Sequence, residues 1–301
     1  MSLVEDIKDL INADRICEST RAYYKMANSI IRDNLREDME YSVYYSLSDE
    51  AKEKIKDYIL NGNYNNLVKA LVIKLYEYTE IDNLLCCYKN LQNVKVVKDE
   101  NFRRKLFSLR SRYVTGQYDP ITNTIFYYTN STLSHEFLHM ASTPQVVSDD
   151  YYTTGFKMFG GNIEFAKGFN EGYTDLLNRR IYFDGDYNSD TCYKINIYLL
   201  RIFELLYDDY KTMERDYFIS NYQSPIGNFM KYGSFDEFFK LINYLDWFAS
   251  TKIIAGEDKE AFDLMKKIIR RCSLDKLARA EEITEEYFES EKKPYQKILK
   301  L

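Results

Sequence analysis

The chain has 301 residues, with 41 Lys and Arg against 47 Asp and Glu, a formal charge of −6, and is 45% hydrophobic and 29% charged. This balance excludes a disordered, collagen-like or low-complexity chain, and the acidic surplus gives no electrostatic footing for general nucleic-acid binding. Beside 29 Tyr and 18 Phe there are only 2 His, and these lie four residues apart.

The chain opens on Met1, Ser2, Leu3 and Val4 and runs straight into Glu5 and Asp6, without the basic and long apolar segments of a secretory signal. No run of about 18 apolar residues predicts a membrane span. The five cysteines, Cys17, Cys86, Cys87, Cys192 and Cys272, include no CxxC pair. Their odd count and apolar neighbours predict reduced thiols in a reducing, cytoplasmic compartment.

Residues 1–92 read as a helical region. Leu3, Val4, Ile7, Leu10 and Ile11 recur at helical spacing. Ser48 is placed to cap a helix that carries Ile55 and Ile59 on its apolar face and ends at Gly62. Further helices are expected over 67–78 and 84–91. The pattern changes in 93–186. Val94, Val96 and Val97 predict a short strand, and Phe107, Leu109 and Tyr113 alternate with polar residues as in a half-buried strand. Asp119-Pro120 marks a turn, and 124–128 reads as another strand. Seven of the 11 glycines fall between Gly116 and Gly185, a concentration expected of functional loops. Residues 187–301 turn helical again, with Ile195, Leu199, Ile202, Leu205 and Leu206 in one segment and further helices over 235–247 and 261–271. A loop is expected over 221–233, broken by Pro225, Gly227 and Gly233, and a charged, solvated helix over 281–300. The expected fold class is α+β, predominantly helical, with a small mixed sheet flanked by N-terminal and C-terminal helical lobes.

The chemistry concentrates in His135-Glu136-Phe137-Leu138-His139, an HExxH segment. On a helix, residues four apart share a face, so both imidazoles can reach one metal ion. Glu136 lies about 100° around the same helix, beside the metal's open position, where a carboxylate can take a proton from water. Asn130 or Ser131 is placed to cap this helix. A catalytic zinc needs a third protein ligand. With no further His, that ligand must be a carboxylate or a thiolate. Downstream, Glu171 and Asp175 are again four apart on an expected helix. One can bind the metal while the other accepts an N–H from a ligating imidazole.

HExxH followed by a downstream NEGxxD segment resembles the gluzincin zinc metallopeptidases, the group that contains the thermolysin-like enzymes. The match is carried by His135, Glu136 and His139, then by Asn170, Glu171, Gly172 and Asp175, and spans the stretch from the strand before the first helix to the end of the second. The resemblance implies a zincin-type core over 93–186 and one Zn²⁺ ion held by His135, His139 and Glu171. It implies Glu136 as general base, with Asp175 and Asn170 supporting the ligands from behind. It also implies a peptide or protein substrate whose backbone adds to an edge strand, here Thr124, Ile125, Phe126 and Tyr127. The metzincin pattern fits less well, since Ser142 and Gln145 stand where it requires Gly and His. No GxMEN-type segment is present, which disfavours an aminopeptidase and leaves an endopeptidase or oligopeptidase. Thermolysin-like enzymes often use a further His for the oxyanion, and none remains here. A Tyr or Arg must take that place, with Tyr151, Tyr152, Tyr222 and Tyr232 as candidates. Arg179 and Arg180 suit either a substrate carboxylate or a helix C-terminus. Two other readings are a regulatory or degenerate zincin with one protein partner and a helical interaction protein with a structural zinc. The intact Glu136 weighs against both.

Overall fold

A computed structural model describes residues 47–98, 116–144, 151–160, 163–188, 191–250 and 256–298. The helix expected around residues 3–11, the strand around 107–113 and Cys17 lie outside the described residues. Ser48 Oγ accepts the Ala51 N–H at 3.2 Å and opens α1 (Asp49–Asn61), which buries Ile55 and Ile59 and closes where Gly62 N–H meets Tyr58 O. Helix α2 (Asn66–Tyr78), a 3₁₀ turn (Ile81–Leu84) and α3 (Leu85–Leu91) follow.

Strands β1 (Lys95–Lys98), β2 (Gly116–Asp119) and β3 (Thr124–Tyr127) form a mixed sheet in the order β1-β3-β2. β3 pairs along its whole length on both sides, parallel to β1 from Lys95↔Thr124 to Lys98↔Tyr127 and antiparallel to β2 from Gly116↔Tyr127 to Asp119↔Thr124. A second, antiparallel sheet runs β4 (Tyr151–Thr154), β5 (Lys157–Gly160) and β6 (Ile163–Phe165). The glycine count had pointed to loops here. Aromatic and β-branched residues between the glycines suit strands instead, and Gly155-Phe156 makes a two-residue hairpin turn.

Helix α4 (Asn130–Ala141) carries HExxH, and α5 (Lys167–Tyr182) carries NEGxxD. The cap of α4 is Thr129, one residue before the expected Asn130 or Ser131; Thr132 Oγ1 accepts its N–H at 3.3 Å. The remaining helices are α6 (Lys194–Phe203), α7 (Tyr210–Phe218), α8 (Gln223–Met230), α9 (Phe235–Ser250), α10 (Glu257–Cys272) and α11 (Leu274–Ile298). Helix α8 replaces much of the loop expected over 221–233. Pro225 falls in its first turn, where a missing N–H costs no helical bond. The tail is not wholly solvated. In α11, Ile283 and Tyr287 are buried, and the Tyr287 ring lies 5.0 Å from that of Phe262 on α10. Among the described residues the protein is therefore predominantly helical, with two small sheets. None of its described helices is long and apolar enough to cross a membrane.

One continuous apolar core runs from Ile55 to Tyr287, with α5 at its centre, packed on α2, α4, α6 and α9. Gly168 in the first turn of α5 makes the α9 contact possible: a Cβ there would lie 2.0 Å from Leu245 O and 2.5 Å from Asp246 N. Both are backbone atoms and cannot rotate away. Asp246 Oδ1 in turn accepts the Gly168 N–H at 2.6 Å, supplying a cap from across the interface. Gly168→Ala is expected to destabilise the fold by about 3 kcal/mol, measurable as a lower urea midpoint.

The far end of α5 is fixed by a buried ionic network. Arg180 donates to Glu204 Oε1 and Oε2 (2.8 and 2.7 Å) and to Glu214 Oε1 (2.9 Å). Tyr78 of α2 and Lys211 of α7 also donate to Glu214, and Tyr173 donates to Glu204. Of the two arginines, Arg180 thus serves the fold.

Candidate metal centre

Helix α4 packs against β2 and β3 on one hand and against α3 and α5 on the other, and its Leu133, Phe137, Leu138, Met140 and Ala141 are all buried. That packing turns His135 and His139 toward α5. The three donor atoms then converge: His135 Nε2 lies 3.2 Å from His139 Nε2 and 3.2 Å from Glu171 Oε2, and His139 Nε2 lies 3.3 Å from Glu171 Oε2. Among the described residues, this group could hold a metal ion. Its spacing fits a small one. Ligands about 2.0–2.1 Å from a tetrahedral zinc stand about 3.3 Å apart, whereas calcium takes more oxygens at longer range.

The surroundings fix the ligands. Asp175 Oδ1 is 3.7 Å from His135 Nδ1, and Asp175 Oδ2 accepts the Thr191 O–H at 2.6 Å. The carbonyl of His139 accepts hydroxyls from Ser142, Thr143 and Thr154 (3.2, 2.6 and 3.1 Å). Behind its ring, Asn170 Nδ2 and Thr174 Oγ1 lie 3.4 and 3.5 Å from Nδ1. The expected neighbours Asp175 and Asn170 are therefore both at the centre.

Burial opposes a charge on His135, but the carboxylates of Asp175, Glu171 and Glu136 outweigh it and raise its pKa to about 10. Glu171 also resists burial, and the His139 and His135 imidazoles hold it well below the ordinary carboxylate range. Glu136 behaves differently. Burial raises its pKa against the pull of both imidazoles.

Glu136 is not one of the three converging donors. Its carboxylate accepts the backbone N–H of Tyr118 on β2, and a Cβ on Gly116 would stand 2.8 Å from its Cγ and 2.9 Å from Oε1. Gly116→Ala would displace this flexible carboxylate without touching the donors. The expected result is unchanged metal stoichiometry in this variant, read by metal analysis against the parent chain.

The centre opens on a cleft of about 600 Å³, bordered on one side by Gly116, Ser131 and Glu136 and on the other by Asp175, Arg179 and Tyr193. Expectation and structure part at two places here. Thr124, Ile125, Phe126 and Tyr127 cannot take up a substrate backbone, because β1 and β2 already occupy both edges of their strand. Among the described residues the outer edge beside the centre belongs to β2. The tyrosine at the cleft is Tyr193, whose ring stacks on His135 at 5.8 Å and 12°. Burial together with Glu171 keeps its phenol protonated. Nothing in the local sequence around Tyr193 marks it out, since only the folding of its loop against α5 brings it in. The tyrosines named from the sequence lie elsewhere. Tyr152 stacks on Phe159, Tyr222 stands at the start of α8, Tyr232 follows its end with its N–H on Phe229 O, and Tyr151 lies on β4. Arg179 borders the cleft with Nε 3.8 Å from Asp175 Oδ1.

Compared with protein-family models, with curated proteins and with solved structures, the chain finds no match in any of the three.

Proposed function

We propose that the chain is a gluzincin-type zinc metallopeptidase that hydrolyses peptide bonds within a peptide or protein substrate. One observation carries the reading: three neutralisable donors meet at zinc spacing on an open cleft, while a fourth buried group, Glu136, stands beside them without joining them. A structural zinc site would need neither the opening nor the extra carboxylate.

His135, His139 and Glu171 would hold the ion. When bound, zinc polarises the scissile carbonyl and makes water a stronger nucleophile near neutral pH. Glu136 accepts the proton of the attacking water and passes it to the leaving amine. Its hydrogen bond from Tyr118 N–H aims the carboxylate along β2, whose outer edge supplies backbone groups for an extended substrate. Tyr193 brings a protonated phenol to the cleft wall and is the residue we assign to the oxyanion.

Chelation tests the reading directly. Stripping the metal should abolish hydrolysis of a quenched-fluorescent peptide library, and zinc, but not calcium, should restore it. The chelated chain should keep its helical circular dichroism. A chain that unfolds on chelation would instead carry a structural zinc.

A further inference from the structure

The hydrogen bonds behind His139 form a directional chain that reaches into the C-terminal helices. His139 presents Nε2 to the other two donors. An imidazole that ligates through Nε2 keeps its proton on Nδ1, and His139 is buried, so that proton needs an acceptor. Two groups border Nδ1, Asn170 Nδ2 and Thr174 Oγ1. The Asn170 oxygen takes the Phe156 N–H at 2.8 Å, and the Asn170 atom that borders Nδ1 is its amide nitrogen, which cannot accept. Thr174 can. Its own proton goes to Asn170 O at 2.8 Å, and the phenol of Tyr217 lies 2.7 Å from its oxygen. With the Thr174 proton committed, Tyr217 is the donor in that pair. Thr174 Oγ1 keeps its second lone pair for His139 Nδ1–H.

We infer that Thr174 and Tyr217 are positioning residues that hold His139 as its Nδ1-protonated tautomer, so that α7 completes the metal centre through α5. This rests on the metal reading above, but its test needs no turnover. Zinc affinity is measured by chelator competition in Thr174→Val, Thr174→Ser and Tyr217→Phe. Thr174→Val should bind zinc about 10–100-fold more weakly, Tyr217→Phe should weaken it in the same direction, and Thr174→Ser should restore affinity close to that of the parent chain. With only 2 His in the chain, ¹⁵N spectra resolve both rings, and His139 in the unaltered protein should carry its proton on Nδ1. Unchanged zinc affinity in Thr174→Val, or a proton on His139 Nε2 of the unaltered protein, would overturn the inference. Should Thr174→Val not fold, Tyr217→Phe carries the test, and unchanged zinc affinity in that variant would overturn the inference. A chain that takes up no zinc would remove the metal reading, while its ¹⁵N spectrum would still report the tautomer.

Discussion

Glu136→Gln should bind zinc with unchanged stoichiometry and hydrolyse peptides about 10²–10⁴-fold more slowly. The exchange keeps shape and removes only the basic oxygen. Glu136 stands apart from the three converging donors, so zinc uptake should not change. The Tyr118 N–H that Glu136 now accepts can still be met by the amide oxygen, and the side chain should keep its place against Gly116. On the proposed mechanism, what is lost is the ability to hold a proton between the water and the leaving amine. Metal analysis and initial rates on the same preparation decide the matter. An unchanged rate would remove Glu136 as base, and loss of zinc would remove the ligand assignment.

Zinc affinity should rise about tenfold per pH unit between pH 7 and 9. In the metal-free chain His135 is protonated up to about pH 10 by its carboxylate neighbours, whereas Glu171 is already ionised. Zinc must displace one proton from His135, so raising the pH favours the ion. Calorimetry in buffers of different ionisation enthalpy should record about one proton released per zinc at pH 7.5. Stability of the metal-free fold should move the other way. The folded-state pKa of His135 is raised from 6.5, so its contribution is complete below that value and is lost as pH rises toward 10. An affinity that stays flat from pH 7 to 9 would mean that the carboxylates do not hold a proton on His135.

The parts of the centre that share one helix face were legible in the sequence. The i, i+4 spacing of His135 with His139 and of Glu171 with Asp175 survives into space because α-helices preserve it. The parts that depend on strand register or on chain return were not. A run such as Thr124 to Tyr127 looks alike at an edge or between two neighbours, and pairing with Lys95 to Lys98 decides which it is. Tyr193 reaches His135 only because the loop before α6 folds back over α5. The β4–β6 meander was hidden because glycines at turns and glycines in loops read the same until Tyr151 to Phe165 are seen to pair. Helix ends were legible where a side chain caps its own helix, as at Ser48, and not where Asp246 caps α5 from across the core.

The ionic network at the end of α5 sets how far this chain can be cut down. Arg180 belongs to the stretch that bears every donor of the centre, yet its carboxylates sit on later segments, Glu204 after α6 and Glu214 on α7, and Tyr78 reaches it from α2. A fragment trimmed to 93–186 would retain the donors but lose α2, α6 and α9, against which α5 packs, together with both carboxylates that pair Arg180. Any fragment meant to hold the three donors in place must therefore keep α2, α6, α7 and α9, however remote they look from the centre.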